Sequence, residues 1–382
     1  MEEIGRNGKK DSLIAVARLF LKLGLIGFGG PAVHIAMMKD EVVRKRNWMS
    51  EAHFLDLIGA TNLIPGPNST EMAMHIGQER AGRSGLLVAG FCFIIPAVII
   101  TGFFAWLYQQ YGQLPAVQPF IYGIKPAIIA IVVSLMIDLG KKALKNVELG
   151  IIGLLAAIVV LLGANEIYVL FGGGLIGVIT HLSKSLNNRM NGFFPFILMQ
   201  TTFPTEKLSD YKIFLVFLKI GSILYGSGYV LFAFLDAELV NKGLLTKQQL
   251  TDAIAVGQFT PGPVFSSATF IGWQIGGPSG ALAATVGIFL PSFILVALLN
   301  PVIPKLRKSA TMSVFLDTVN IVSVAIILSV IVELGRQVLV DWRTILISAS
   351  SFILAFSFKK LNTAFIILGG AVLGYLLSLL HS

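Results

Sequence analysis

Two Pro-Gly-Pro tripeptides, Pro65-Gly66-Pro67 and Pro261-Gly262-Pro263, interrupt apolar sequence. Proline removes a backbone donor and collides with the preceding helical turn, and glycine allows dihedrals that other residues resist. A helix is therefore predicted to end before each tripeptide and another to begin at its last proline. A new helix N-terminus carries unpaired N–H groups and a partial positive charge, which together suit an anion. Asn68, Ser69 and Thr70 follow the first break, and Ser266, Ser267 and Thr269 the second. Each break reads either as a plain kink or as an anion site; two copies, both followed by hydroxyls, favour the site.

A second kind of break precedes each tripeptide. Gly27-Phe28-Gly29-Gly30-Pro31 interrupts one apolar span, and Tyr225-Gly226-Ser227-Gly228-Tyr229 takes the equivalent place without the proline. Small residues there serve either close helix packing or a second discontinuous helix facing the first. Lys22 and Lys219 lie in the first turns of these spans, either as cations for an oxyanion or as side chains snorkelling to an interface. Lys125, before Pro126, is matched by Asn320, a polar position that suits a wet cavity. Asp56 and Asp252 stand nine residues before their tripeptides. They cap, pair with the lysines, or carry a coupled proton. Glu71 and His75 are spaced i, i+4 after the first break, as a proton relay or a local hydrogen bond. With His34, they have no titratable counterpart in the second half. The expected anion site is drawn from the breaks, their hydroxyls and the two lysines; the proton-coupling candidates are His34, Asp56, Glu71, His75 and Asp252.

These features sit in a chain that is 55% hydrophobic and 13% charged, where an average soluble domain is roughly 25% charged. Apolar runs such as Leu86–Leu107 and Phe120–Leu139 reach the ~20 residues that cross a bilayer. They do not alternate in polarity as barrel strands do. The expected class is an all-α polytopic membrane protein, without a removable signal peptide. The only cysteine, Cys92, excludes a disulfide framework and a cysteine metal site. No metal-ligand cluster, phosphate-binding loop or nucleophilic triad stands out, so no metal or cofactor is expected, and ATP is not expected as a direct energy source. The net charge of +9 lacks the basic–aromatic interleaving of a nucleic-acid surface and fits positively charged inner loops. The expected partners are a small oxyanion and the lipid bilayer, with a homodimer left open and no nucleic acid.

The chain is written twice. Residues 20–43 and 217–240 share ten of 24 aligned positions, including Lys22 and Lys219. The match continues through Pro96 with Pro291, Phe120 with Phe315, and Gly172-Gly173 with Gly369-Gly370. The expected division is an N-terminal repeat at 1–183, a linker at 184–208 and a C-terminal repeat at 209–382. Each repeat starts with a Gly-rich segment (13–38), read as a crossing. A segment centred on Pro-Gly-Pro (52–79) is too short on either side to cross twice and is predicted as a re-entrant hairpin. Four spans follow near 85–108, 118–139, 147–163 and 166–182. Five crossings per half would invert one half against the other. Loop charge agrees: Arg80 and Arg83 have no charged counterparts near 275–279, whereas the uncharged 111–116 is matched by Lys305, Arg307 and Lys308. This puts 39–50, 80–84, 141–146, 183–212, 301–308 and 359–361 in the cytoplasm and both termini outside. The rival arrangement makes the first segment re-entrant and the halves parallel.

Two homologous halves, Phe28-Gly29-Gly30-Pro31 after FLKLG, and Pro-Gly-Pro about 35 residues on resemble the chromate ion transporter family in its long, duplicated form. The resemblance spans nearly the whole chain. It implies a multi-pass carrier in a prokaryotic plasma membrane, exporting chromate on an ion gradient, with sulfate as competitor. Its motifs fall on Phe28 to Pro31 and on both Pro-Gly-Pro tripeptides; the second half lacks the first motif's proline. The alternatives are an anion channel and an integral membrane prenyl-pyrophosphate phosphatase. Undecaprenyl-pyrophosphate phosphatases also combine inverted repeats, re-entrant helices and a hydroxyl-rich Pro-Gly motif. Their chemistry asks for an arginine near that motif, and the first one here is Arg80, three turns on.

Overall fold

The computed structural model describes residues 2–112, 114–184, 209–225, 230–299, 309–358 and 361–379. Among them are fourteen α-helices and no strand. In the first half these are α1 (Glu2–Ile26), α2 (Pro31–Lys39), α3 (Glu51–Thr61), α4 (Asn68–Tyr111), α5 (Gln118–Ala143), α6 (Val147–Leu161) and α7 (Glu166–Lys184). The second half repeats the order as α8 (Asp210–Ile223), α9 (Val230–Leu235), α10 (Lys247–Phe259), α11 (Ser267–Leu299), α12 (Ala310–Val338), α13 (Trp342–Ser357) and α14 (Thr363–Leu379). A π-helical turn extends α2 over Asp40–Lys45 and α9 over Asp236–Val240. Polar side chains close several helix starts. Ser50 and Asn146 accept from backbone N–H groups three residues on, and Thr246 with Gln249 and Asp341 with Thr344 form reciprocal caps. At the last of these, the Thr344 backbone N–H and the Tyr122 hydroxyl hold the Asp341 carboxyl below its ordinary range.

The Gly-rich segment folds back instead of crossing. Ser12 donates to the Arg80 carbonyl at 2.8 Å, so α1 enters at the end of the molecule that carries Arg80. Lys22 on α1 pairs with Glu41 at 2.8 Å, which requires the return limb to lie beside the outgoing one. Arg46 and Arg80 then both stack on Trp48. The physical reason is charge. Lys22 and Glu41 are neighbours only if the chain reverses at residues 27–30, and an unpaired charge at this depth is costly. The next segment is the predicted hairpin: α3 descends from the same end, and the first part of α4 returns to bring Glu79 within 3.4 Å of His53. Each half thus has two re-entrant hairpins and four apolar helices, where one hairpin and about five crossings were expected. The first described residues accordingly lie at the Arg80 end, not at the opposite end where external termini would put them.

α4 is two helices joined at Ala81–Gly82, and α11 breaks in the same way at Gly277. Gly82 has φ 65° and ψ −155°, and Gly277 φ 66° and ψ −155°, a positive-φ region that is nearly confined to glycine. After the kink each helix runs the length of the molecule. Asn68–Tyr111, Gln118–Ala143, Glu166–Ser183, Val264–Leu298 and Ala310–Val338 are long and apolar enough to cross a membrane, with α6, α13 and α14 as shorter apolar helices. The protein is a duplicated polytopic membrane protein.

Equivalent hairpins enter from opposite ends. Trp273, near the kink of α11, donates to Gln109, near the far end of α4, at 2.7 Å. Asp210 at the start of α8 lies beside Gly276 at that same end. The second half's hairpins therefore open where the first half's do not, and the halves run antiparallel although their first segments are re-entrant. α7 ends at the Arg80 end, where Thr180 and His181 share a cavity with Asn146 and Asp317. The expected linker at 184–208 lies almost wholly outside the described residues, as do the basic stretches 301–308 and 359–360; its described flanks stand at opposite ends, so 183–212 is not all on one side as expected.

The halves also exchange helices. α6 and α7 pack on α12, whereas α13 and α14 pack on α5. Gly123 of α5 meets the backbone of Gly370 and Gly374 on α14, and Phe120 stacks on Tyr375 at 4.7 Å. The two trios meet through α5 and α12, while α1 packs on α4 and α8 on α11; Phe93, Phe217, Phe265 and Phe270 are fully buried.

Candidate functional site

The four breaks meet in crossed pairs. The Gly66 N–H donates to the Leu224 carbonyl at 2.8 Å, and the Gly262 N–H donates to the Gly27 carbonyl at 2.7 Å. Each Pro-Gly-Pro loop is thereby docked on the Gly-rich break of the other half. Both glycines hold positive φ, 136° and 89°. A Cβ on Gly66 would collide with Ser292 and approach the Glu71 carboxyl to 2.5 Å; one on Gly262 would reach Ala97 at 2.7 Å. Gly29 and Gly30 form the turn facing the second loop, while Gly226 and its neighbours through Tyr229 lie outside the described residues.

Beyond the first loop, α4 starts as the prolines predict. The Pro67 carbonyl accepts from the N–H groups of Thr70 and Glu71 at 2.7 and 3.0 Å, which leaves those of Asn68 and Ser69 outside the helical ladder. Asn68 donates to Asn62 at 2.9 Å. Asn62 in turn lines a cavity of about 300 Å³ with Lys142, Lys145, Asp317 and Asn320, at the basic end. Lys145 pairs with Asp317 at 2.6 Å, while Lys142 lines the cavity beside it.

The second half does not mirror this opening. A 3-10 turn, Val264–Ser266, intervenes before α11. Its hydroxyls are turned to one another: Thr101 donates to Ser266 at 3.2 Å, Ser267 to the Val264 carbonyl at 2.7 Å, and Thr269 lies 2.7 Å from Thr285. All are buried. Outside them Asp252 on α10 binds Lys125 on α5 at 3.0 Å and accepts from Tyr108 at 2.6 Å. α10 packs on α5 and α14, whereas a cavity separates the equivalent α3 from α12. Lys125, expected beside a wet cavity, is a closing residue, and its counterpart Asn320 lines the open side.

Lys22 and Lys219 are held away from the breaks. Lys22 meets Glu41, which also binds Lys45 and Arg46; Lys219 meets Glu238 at 2.7 Å, which also binds Lys242. Asp252 takes Lys125 in place of Lys219, and Asp56 is exposed on α3. Sequence reasoning missed Glu41 and Glu238. The signal was present, since this glutamate is one of the ten identities between the repeated segments.

Three unmatched titratable groups lie in the first half's interior. His34 makes a 2.8 Å hydrogen bond to the Gly27 carbonyl through Nε2 and sits edge-on to Phe93. Glu71 accepts from Ser292 at 3.1 Å on one oxygen, and its other oxygen has no partner. His75 Nε2 is also without a partner, so the i, i+4 spacing does not bring Glu71 and His75 into a hydrogen bond. Among the described residues no group of three or more His, Cys, Asp or Glu is placed to hold a metal ion.

A family model described as chromate transporter matches the chain twice, over residues 14–178 and 211–375. A probable chromate transport protein of Synechococcus elongatus is 31% identical over 373 residues, which cover 95% of both chains. The chromate transport protein of Cupriavidus metallidurans is 30% identical over 93% of this chain and 90% of its own. That of Pseudomonas aeruginosa is 28% identical over 94% and 90%. No solved structure matches the chain significantly.

Proposed function

The chain belongs to the chromate transporter family, and on that premise we propose a secondary active transporter that exports chromate across a prokaryotic plasma membrane, with sulfate as a competing dianion of the same shape. One observation carries the reading: the N-terminus of α4 opens through Asn68 and Asn62 to a polar cavity at the basic end, while the matching N-terminus in the second half is sealed. In this reading the anion is held by the free N–H groups of Asn68 and Ser69 and by the Asn68 amide, with Lys142 and Lys145 drawing it in. Neutral donors dominate, which suits an ion that must also leave. Lys22 and Lys219 act as hairpin struts instead of ligands.

The repeats are read as inverted, with cytoplasm at the basic end. Because the outer helices are exchanged between halves, alternating access is assigned to the hairpins moving against the two outer trios, not to one repeat rocking as a block. Chromate flux into proteoliposomes, with sulfate as competitor, tests the reading. Asn68→Ala and Lys145→Ala are expected to lower flux, the former by about tenfold, as loss of one hydrogen bond to a charged group implies. Normally inserted Asn68→Ala protein with unchanged flux rejects the site. Flux that neither saturates nor shows counterflow points to a channel instead.

A further inference from the structure

Glu71 is 0% exposed, yet no cation is bonded to it. It stands in the first turn of α4, directly behind the N–H groups assigned to the anion. One carboxyl oxygen takes the hydroxyl hydrogen of Ser292, which belongs to the other half, and the second oxygen is bare. The surroundings hold little that could compensate a charge. α11 contributes only Ser292, since α11 contains no ionisable residue. Tyr225, at the end of α8, is near enough to interact electrostatically with Glu71. His34 on α2 is bonded to Gly27, Lys22 on α1 to Glu41, and Asp252 on α10 to Lys125 and Tyr108. Asp56 on α3 is exposed, and His75 lies one turn along α4 without a bond to Glu71.

A bare carboxylate buried this way is disfavoured, and a metal cation asks for several converging oxygens. The ligand that fits one carboxyl and one hydroxyl is a proton. We propose that Glu71 is the site where the carrier binds its coupling proton, and that Ser292 is the positioning residue through which the second half responds to it. The inference rests on the transport reading above and narrows five candidates to one. Its physical content is mutual attraction. A carboxylate in the first turn of α4 competes with a dianion for the same N-terminal field, whereas the protonated acid does not. Proton and anion therefore favour each other's binding and cross together; the pair keeps one net negative charge, so an inside-negative potential acting on that charge, and not the proton gradient, drives its export. The second half has serines at this place, Ser266 and Ser267, so one half alone provides the proton site.

The test uses the full-length protein in liposomes. The pH on the chromate-loaded face is held constant, so that chromate's own titration does not enter, and the opposite face is made alkaline. Wild-type flux is expected to rise, because the proton leaves more readily. Glu71→Gln is expected to lose this response and keep chromate counterflow. A Glu71→Gln protein that responds like wild type overturns the inference, as does a folded one that exchanges no chromate, since Glu71 would then belong to anion binding. Where Glu71→Gln does not fold, Ser292→Ala is expected to weaken the response at least about threefold, and an unchanged response counts against the proposal. Absence of any wild-type chromate flux would instead sink the transport reading itself.

Discussion

Gly66 holds φ at 136°, gives its N–H to Leu224 across the repeat boundary, and leaves no room for a Cβ beside Ser292 and Glu71. Three demands coincide there: a conformation, a hydrogen bond and a close approach. Gly82 meets only the first, since nothing lies within 4 Å of a Cβ built on it. Gly66→Ala should therefore destabilise by about 1–3 kcal/mol from crowding, on top of the backbone penalty. Gly82→Ala should cost only the backbone penalty, about 1–3 kcal/mol. Thermal unfolding of the two purified variants in detergent checks the order, and equal losses would contradict the packing argument.

The hairpins are elements that a membrane tolerates only because their broken backbone is buried in protein. What closes them is a lysine on the outgoing limb and a glutamate on the returning limb, in both halves. The two struts differ in hydration. Both glutamates are buried, at 8% and 5% exposed, but Lys22 and Lys45 keep more than half of their side-chain surface exposed, whereas Lys219 and Lys242 keep 27% and 29%. Removing the glutamate strands the surrounding cations. Around Glu41 they can turn to water, so Glu41→Gln should cost about 1 kcal/mol or less. Around Glu238 they cannot, and Glu238→Gln should cost about 3 kcal/mol. Denaturation in matched detergent would show the second variant clearly weaker; equal stability would reject the distinction.

At the scale of the molecule, antiparallel halves with exchanged outer helices give the two ends different chemistry from one repeated sequence, which the transport reading takes as two gates. The gate at the Gln109 end is pinned by Asp252, Lys125 and Tyr108. At the basic end Asn320 stands where Lys125 would, and a cavity opens. Lys125→Asn makes the two gates alike. It should shift the population toward opening at the Gln109 end. A cysteine placed at the buried Gln258, in a Cys92→Ser background, reports this. Its labelling by a membrane-impermeant thiol reagent from that face should quicken by about tenfold, the factor for about 1.4 kcal/mol of lost gate contact. Unchanged labelling would show that the salt bridge does not hold the gate.

The duplication, the membrane class, both kinds of break and the four apolar spans of each half were legible along the chain, because they follow from local facts. Proline and glycine stop helices wherever they occur, and an apolar run declares its length without reference to its neighbours. The predicted hairpin at 52–79 followed from the same arithmetic. The second hairpin was not legible, although its evidence, Lys22 and Glu41 with Lys219 and Glu238, lay in the most strongly repeated segment. A crossing and a reversal have the same composition, and only the pairing of two charges nineteen residues apart distinguishes them. The partners of Asp252, the exchange of outer helices, the docking of each loop on the opposite half and the burial of Glu71 against Ser292 join residues about 130 to 255 positions apart. Those contacts are chosen by how helices pack once formed, a decision that periodicity and composition do not record. The sequence by itself thus determined what is broken and how often; the tertiary structure decided which breaks face each other, which end is open, and which carboxyl is left alone between the halves.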